Sequence, residues 1–289
     1  MIRRLVRGNV AWERLETVVR ELADRYDKET AHVRFLDADN WLSTPFVLDE
    51  EHFVKVMTRQ NSAVHALFTA GRNLGAVSAG AEGFFEHFGT PYQMATHELE
   101  ATRQMRAAGV NAPEPVEAVE IDGLGVLVLA YLDGFKPLDE VSRERARSLA
   151  PAVFRSLARL HETGLAHGDV RAENVLVVND ELYFIDATNV REPDADPTGA
   201  TDPHREASEY DVASALAALA PIVGTTHAVE AASRVYDTDR LLGALEYLSV
   251  VDVRPDHDFD ATGLRGEIES RAARAEPTDG GTPIDGSEG

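Results

Sequence analysis

Two hydrophobic rhythms divide this chain. In the first half, short apolar runs alternate with polar residues every second position, the pattern of half-buried strands. Such runs fall at His32–Leu36, Pro45–Leu48, His52–Thr58, Val116–Ile121 and Gly125–Tyr131. The last two flank Asp122-Gly123, a hairpin turn signal. Two helical periodicities interrupt them. One spans residues 9–26 and predicts an amphipathic helix. The other runs from Tyr92 to Ala108 and stops at Gly109, with Pro113 just beyond. Residues 59–90 are rich in Gly, Ala, Ser and aromatics with weak periodicity, and read as a helix-containing insertion. In the second half the helical period dominates. Helices are predicted over Leu138–Thr163 (closed by Gly164), Glu206–Leu219, Ala228–Val235, Thr238–Val250 and Phe259–Ala275, with a polar loop over Asp194–Arg205. One strand pair breaks this half: Val175–Val178 and Leu182–Ile185 around the turn Asn179-Asp180. Residues 276–289 have no apolar pattern and are expected to be disordered.

Strands with a helix, followed by helices with a hairpin, predict an α+β protein with two lobes and a cleft between them. The expected division is an N-terminal helical extension over 1–30, a β-rich N-lobe over 31–131 with its insertion, a helical C-lobe over 132–275, and the tail.

The hairpin carries the most specific chemistry. Residues 167–174 read H-G-D-V-R-A-E-N, and Asp186 follows in F-I-D. Asp169 stands five residues before Asn174, and Asp186 ends the next apolar run, so the hairpin brings all three to one end. Phosphoryl transfer needs this set: a carboxylate for the attacking hydroxyl, here Asp169, and two oxygen ligands for Mg²⁺, here Asn174 and Asp186. Arg171 is placed to neutralise charge on the transferred group. His167 reads as an organiser of the loop, equally compatible with a packed core histidine.

Lys55 sits in the apolar strand F-V-K-V-M, where an ammonium needs a charged partner or solvent. It is expected to hold the α- and β-phosphates of ATP. Glu98 and Glu100 are its candidate partners on the following helix. Two residues apart, they point about 200° from one another, so one alone can face the cleft. Glu98 is expected to be that one. Asp211, at the start of an apolar helix, reads either as a dipole complement or as a clamp on the catalytic loop.

The charge adds a further constraint. Fifty acidic residues stand against 28 basic ones, a net −22, and three of the basic residues are lysines, Lys28, Lys55 and Lys136. Acids spread along the chain suggest a surface suited to a salt-rich cytosol, and argue against broad nucleic-acid binding. No apolar h-region or membrane span is apparent, and cysteines are absent, so a cytoplasmic protein is expected. Two stretches mimic calcium loops. Residues 256–267 place Ala261 where the sharp turn needs glycine, and 194–205 end in Arg205 rather than glutamate. The first reads instead as a capped helix start.

The segments F-V-K-V, H-E-L-E…A-G-V-N-A-P-E-P, H-G-D-V-R-A-E-N-V-L-V and Y-F-I-D-A-T resemble the atypical protein kinases of the RIO family and the small kinase of the tRNA-modifying KEOPS complex. The resemblance spans about Ala31 to Val250. It implies a protein-kinase-like fold, with ATP and Mg²⁺ as cofactors. Lys55 and Glu98 then form the phosphate lysine and its partner, Asp169 the catalytic Asp, Asn174 and Asp186 metal ligands, and Asp211 a loop clamp. Leu129 to Leu132, with Leu129 and Tyr131 at the adenine site, match the hinge. It also implies a protein Ser/Thr acceptor and a ribosome-assembly or tRNA-modification partner. No glycine-rich loop precedes Lys55, where D-A-D-N-W-L-S-T (37–44) stands instead. Ala-Thr follows Asp186, and no A-P-E segment follows. A small-molecule kinase of the aminoglycoside or choline type, and an ATPase-type switch, stay open as alternatives.

The acidic surface generates a first prediction. The melting temperature should climb steeply from about 0.1 M to above roughly 1 M KCl, where the Debye length shrinks to roughly 3 Å. A flat response would mean the acids are not a salt adaptation.

Overall fold

The computed structural model describes residues 10–36, 43–58, 89–186, 202–252 and 259–275. The expectations for the insertion (residues 59–88), the tail, most of the second calcium-like stretch and most of the turn before Lys55 lie outside them.

Within these residues the N-terminal half is an antiparallel sheet of five strands: β1 (Val33–Phe35), β2 (Thr44–Leu48), β3 (His52–Met57), β4 (Pro115–Ile121) and β5 (Leu124–Ala130), ordered β1-β2-β3-β5-β4. Asp122 and Gly123 both have positive φ, as the tight β4–β5 turn requires. Helix α1 (Trp12–Arg25) lies on one face, where Leu15, Val18 and Leu22 meet Phe46, Leu48, Val54, Val56, Val126 and Val128. Helix α2 (Pro91–Ala107) covers the other, where Met94, Ala95 and Leu99 meet Met57, Leu127 and Leu129. With a helix on each face, β5 is buried along nearly its whole length. Helix α2 starts in a capping box: Thr90 Oγ accepts from Gln93 N at 3.1 Å, and Gln93 Oε1 accepts from Thr90 N at 3.2 Å.

The C-terminal half contains a small sheet, β6 (Lys136–Pro137), β7 (Val175–Val178) and β8 (Glu181–Phe184), and five helices among the described residues. These are α3 (Arg143–Glu162), α4 (Pro203–Val223), α5 (Thr225–Ser233), α6 (Thr238–Asp252) and α7 (Ala261–Ala275). Their apolar faces share one core. Pro151 lies inside α3 and leaves the Arg147 carbonyl without its helical donor; His227 Nε2 supplies one at 3.0 Å.

The structure departs from the sequence reading in several places. The two-residue strand β6 was not anticipated. Helix α4 begins at Pro203, so the last residues of the expected polar loop are helical, and it runs past Pro221 to Val223. Asp202 caps it, accepting from Arg205 N at 3.2 Å. Asp260 caps α7 through Gly263 N at 2.8 Å, in line with the capped-helix reading of 256–267. No helix among the described residues is long and apolar enough to cross a membrane.

Sheet and helix come close at Gly125, where a Cβ would overlap the Pro91 carbonyl and lie 2.9 Å from Tyr92 N. These are backbone atoms at the start of α2 and cannot rotate away. Gly125→Ala should therefore cost about 3 kcal/mol or more, the top of the range for overpacking. Urea unfolding measures this, and a loss below about 1 kcal/mol would show that α2 shifts freely on the sheet.

Candidate active site

Strand periodicity decides where Lys55 points. In β3 it alternates with Val54 and Val56, which face α1, so Lys55 faces α2. There its Nζ donates to Glu98 Oε1 at 2.9 Å and Oε2 at 3.0 Å, both residues buried. Of the two candidate glutamates, Glu98 is the one that reaches Lys55. Glu100 is exposed and lies 3.5 Å from Arg103. Lys55 Nζ also contacts Asp186 Oδ1, tying the N-lobe sheet to the C-lobe hairpin.

Asp186 follows β8 in the left-handed region, φ 64, which turns its carboxylate back toward Lys55. The loop before β7 is held against it. Ile185 N donates to Asn174 O at 3.0 Å, and Asn174 Nδ2 donates to Asp169 O at 3.0 Å and Asp169 Oδ2 at 3.3 Å. Arg171 Nη2 lies 3.3 Å from Asp169 Oδ2 and 3.6 Å from Asp186 Oδ2, and Nη1 meets Glu173. Asp169, Asn174, Arg171, Asp186, Lys55 and Glu98 thus converge on one point between the lobes. Phe184 N donates to Asn111 O at 2.8 Å, a further link across the two halves.

Leu129 lies within strand β5, its side chain in the apolar cluster under α2. Tyr131 leaves that strand: its N–H donates to Glu51 O at 2.8 Å, and its ring lies under the Arg34 guanidinium, 5.4 Å away.

Asp211 is fully buried nine residues into α4, too deep for the helix-dipole role that the expected start at Glu206 suggested. It binds the loop that precedes β7 instead. Oδ2 accepts from His167 N at 2.6 Å and Oδ1 from Gly168 N at 2.7 Å. Gly168 has φ 73, the turn that delivers Asp169. The His167 ring is buried against Phe184, and its Nδ1 accepts from Asp169 N at 3.3 Å. Two residues of this region escaped the sequence reading. His161 Nε2 lies 3.0 Å from Asp211 Oδ2, and Tyr236 OH lies 3.0 Å from His161 Nδ1. His161 falls four residues after Leu157, on the buried stripe of α3, and that position was the available signal.

Electrostatics follow from the burial. Burial disfavours the Lys55 ammonium, but the Asp186 and Glu98 carboxylates outweigh it and lift its pKa above the usual lysine value. Burial works against Asp186 as well, and Lys55 and Arg171 overcome it, holding this carboxyl below the usual range. For Glu98 burial wins: aided by Asp186 and opposed by Lys55, it pushes the carboxyl up to about 7.

The two lobes, the hairpin and the lysine–glutamate pair define a protein-kinase-like domain. An aminoglycoside-3'-phosphotransferase of type VIII superposes on it with a TM-score of 0.51 at 15% identity, over 83% of this chain and 100% of that one. Residues 89–198 match the RIO domain family model. The KEOPS complex subunit Bud32 of Pyrococcus abyssi is 29% identical over 92 residues, which is 31% of this chain and 41% of that protein. The RIO-type serine/threonine-protein kinase Rio1 of Haloferax volcanii is 31% identical over 103 residues, 34% of this chain and 35% of that one. The chain thus spans less than half the length of either relative. The matched RIO segment starts at Gly89, narrower than the resemblance read from the sequence, and Lys55 lies outside it.

The raised Glu98 yields a stability prediction. The folded protein keeps this proton up to about 7, whereas the ordinary value is 4.5. The folded state therefore binds more protons across that window, and Glu98's contribution to stability, full below it, is lost as pH rises through it. Glu98→Gln cannot titrate. From pH 5 to pH 7.5 the urea midpoint of wild type should fall relative to that of the variant. A constant gap would place the Glu98 pKa at its ordinary value.

Proposed function

We propose that the chain is an atypical kinase of the RIO type that transfers the γ-phosphoryl group of ATP, with Mg²⁺, to a Ser or Thr hydroxyl of a protein. The observation that carries this reading is the junction of Lys55, Glu98, Asp169, Asn174 and Asp186 at the point where sheet, helix and hairpin meet. The RIO domain match and the serine/threonine kinase relatives support the protein acceptor. One relative is a subunit of the KEOPS complex, and a protein-assembly partner is proposed for this chain too.

The donors present suit a magnesium nucleotide. Among the described residues no group of three or more His, Cys, Asp or Glu side chains could hold a metal by itself. A magnesium ion carried on phosphates needs fewer: one or two carboxylates with phosphate and water oxygens. Asp186 and Asn174 supply hard oxygens, and Asn174 spends its amide N–H on Asp169, leaving its own oxygen free of that task. Asp186 and Asn174 would hold such an ion, which would supply neutralisation of charge developing on the phosphates.

The chain's own residues supply the rest. Lys55 now spreads its charge over Glu98 and Asp186. Phosphate oxygens would compete with Asp186 for that ammonium while Glu98 keeps it in place. Asp169, held by Asn174 and Arg171, accepts the proton of the attacking hydroxyl or orients it. Arg171, already bridging Asp169 and Asp186, offers a guanidinium to the transferred group. Leu129 and Tyr131 are proposed to border the adenine.

The test is transfer of labelled γ-phosphate at high salt, reading protein label in cell extract, self-labelling and free phosphate in one experiment. Label should enter protein, and Asp169→Asn should lower it by about 10²–10⁴-fold while ATP still binds. Label released only as free phosphate, or found only on a metabolite, would overturn the protein acceptor. A variant close to wild type would remove Asp169 from the chemistry.

A further inference from the structure

The buried polar chain behind the catalytic loop has a direction. Asp211 has no exposed surface and accepts at both oxygens: from Gly168 N at 2.7 Å, and from His167 N at 2.6 Å and His161 Nε2 at 3.0 Å. An ionised carboxylate can only accept, so His161 must present Nε2–H to it. A neutral imidazole carrying its proton on Nε2 has a bare lone pair on Nδ1. That atom lies 3.0 Å from the Tyr236 hydroxyl, which can donate to it. Tyr236 joins α5 to α6 and packs its ring edge-on against Phe154, so its hydroxyl is held in place by the core.

We propose that Tyr236 and His161 are positioning residues for phosphoryl transfer. Asp211 and Tyr236 together select the His161 Nε2–H tautomer, His161 completes the donor set of Asp211, and Asp211 holds the His167–Gly168 turn that presents Asp169. This rests on the kinase reading above. The chain reaches Asp169 through the backbone alone and touches neither Lys55 nor the proposed metal ligands.

The physical consequence is specific. Without the tyrosine hydroxyl, His161 can settle as the Nδ1–H tautomer. Its Nε2 lone pair then faces the Asp211 carboxylate, and the turn loosens. A second proton cures this, because the imidazolium donates from both nitrogens. The charged and titratable groups facing this site are Asp211 from α4, Glu162 from α3, Arg240 from α6 and Tyr236 itself.

Tyr236→Phe removes one oxygen and keeps the ring. At pH 8 it should lower kcat about two- to ten-fold, the order of one hydrogen bond, with KM for ATP unchanged. The ratio of variant to wild-type kcat should return toward one on acidification from pH 8, because a doubly protonated ring donates from both nitrogens and has no tautomer to fix. In a His161→Gln background, which has no tautomer to fix, Tyr236→Phe should change neither kcat nor its pH dependence. A ratio that stays constant with pH overturns the proposal, since loss of packing alone would not recover on acidification. NMR of ¹⁵N-histidine-labelled protein tests it without any activity. Wild type should show His161 protonated at Nε2 and bare at Nδ1 at pH 8, and the variant should lose that preference. Protonation at Nδ1 in wild type overturns the proposal. If no acceptor is ever phosphorylated but the tautomer is as stated, the kinase reading fails and the positioning of the turn stands.

Discussion

One buried ammonium organises this molecule. Lys55 lies in the middle of an apolar sheet, and its charge is tolerable there only because two carboxylates reach it from different directions. Glu98 comes from the helix covering the sheet, and Asp186 from the hairpin of the other lobe. Removing Lys55 would leave its carboxylate partners uncompensated in the interior, a far larger penalty than losing a surface ion pair. The pair thus fixes how α2 lies on the sheet and where the two lobes meet. Gly125 permits the same geometry from the steric side, because any side chain there would push the start of α2 off the strand.

On the C-lobe side, a second buried charge plays the matching part. Asp211 is satisfied by backbone N–H groups of the loop and by one ring nitrogen, so the loop is tied to the core of the helical bundle. Asp169 therefore hangs between two rigid bodies. Behind it stands the Asp211 network, and in front of it Arg171 and Asn174 link it toward Asp186.

Much of this was legible in the sequence because its signals were local. The D-x-x-x-x-N spacing, the Asn179-Asp180 turn and the isolated lysine in F-V-K-V each constrain a short stretch, and each stretch folds as its pattern directs. Helix geometry allowed only one of Glu98 and Glu100 to face the cleft, and Glu98 was preferred because it lies further back from the Gly109-Val110 break, nearer the middle of the sheet. What escaped was tertiary. Asp211 resembled a residue near a helix start because the capping Asp202 and the Pro203 start were read as loop. His161 and Tyr236 are 75 residues apart, and nothing local announces that they meet. The strand β6 is two residues long and exists only because β7 offers it an edge.

The central claim is that Lys55 and Glu98 act as one unit in holding the nucleotide. A double-mutant cycle on Mg²⁺-ATP affinity, measured by calorimetry at high salt, tests it most directly. Lys55→Met and Glu98→Gln should each weaken binding, and the double variant should bind no worse than Lys55→Met alone, because Glu98 acts through the lysine. Losses that simply add would mean that the two residues act independently, and would contradict the account.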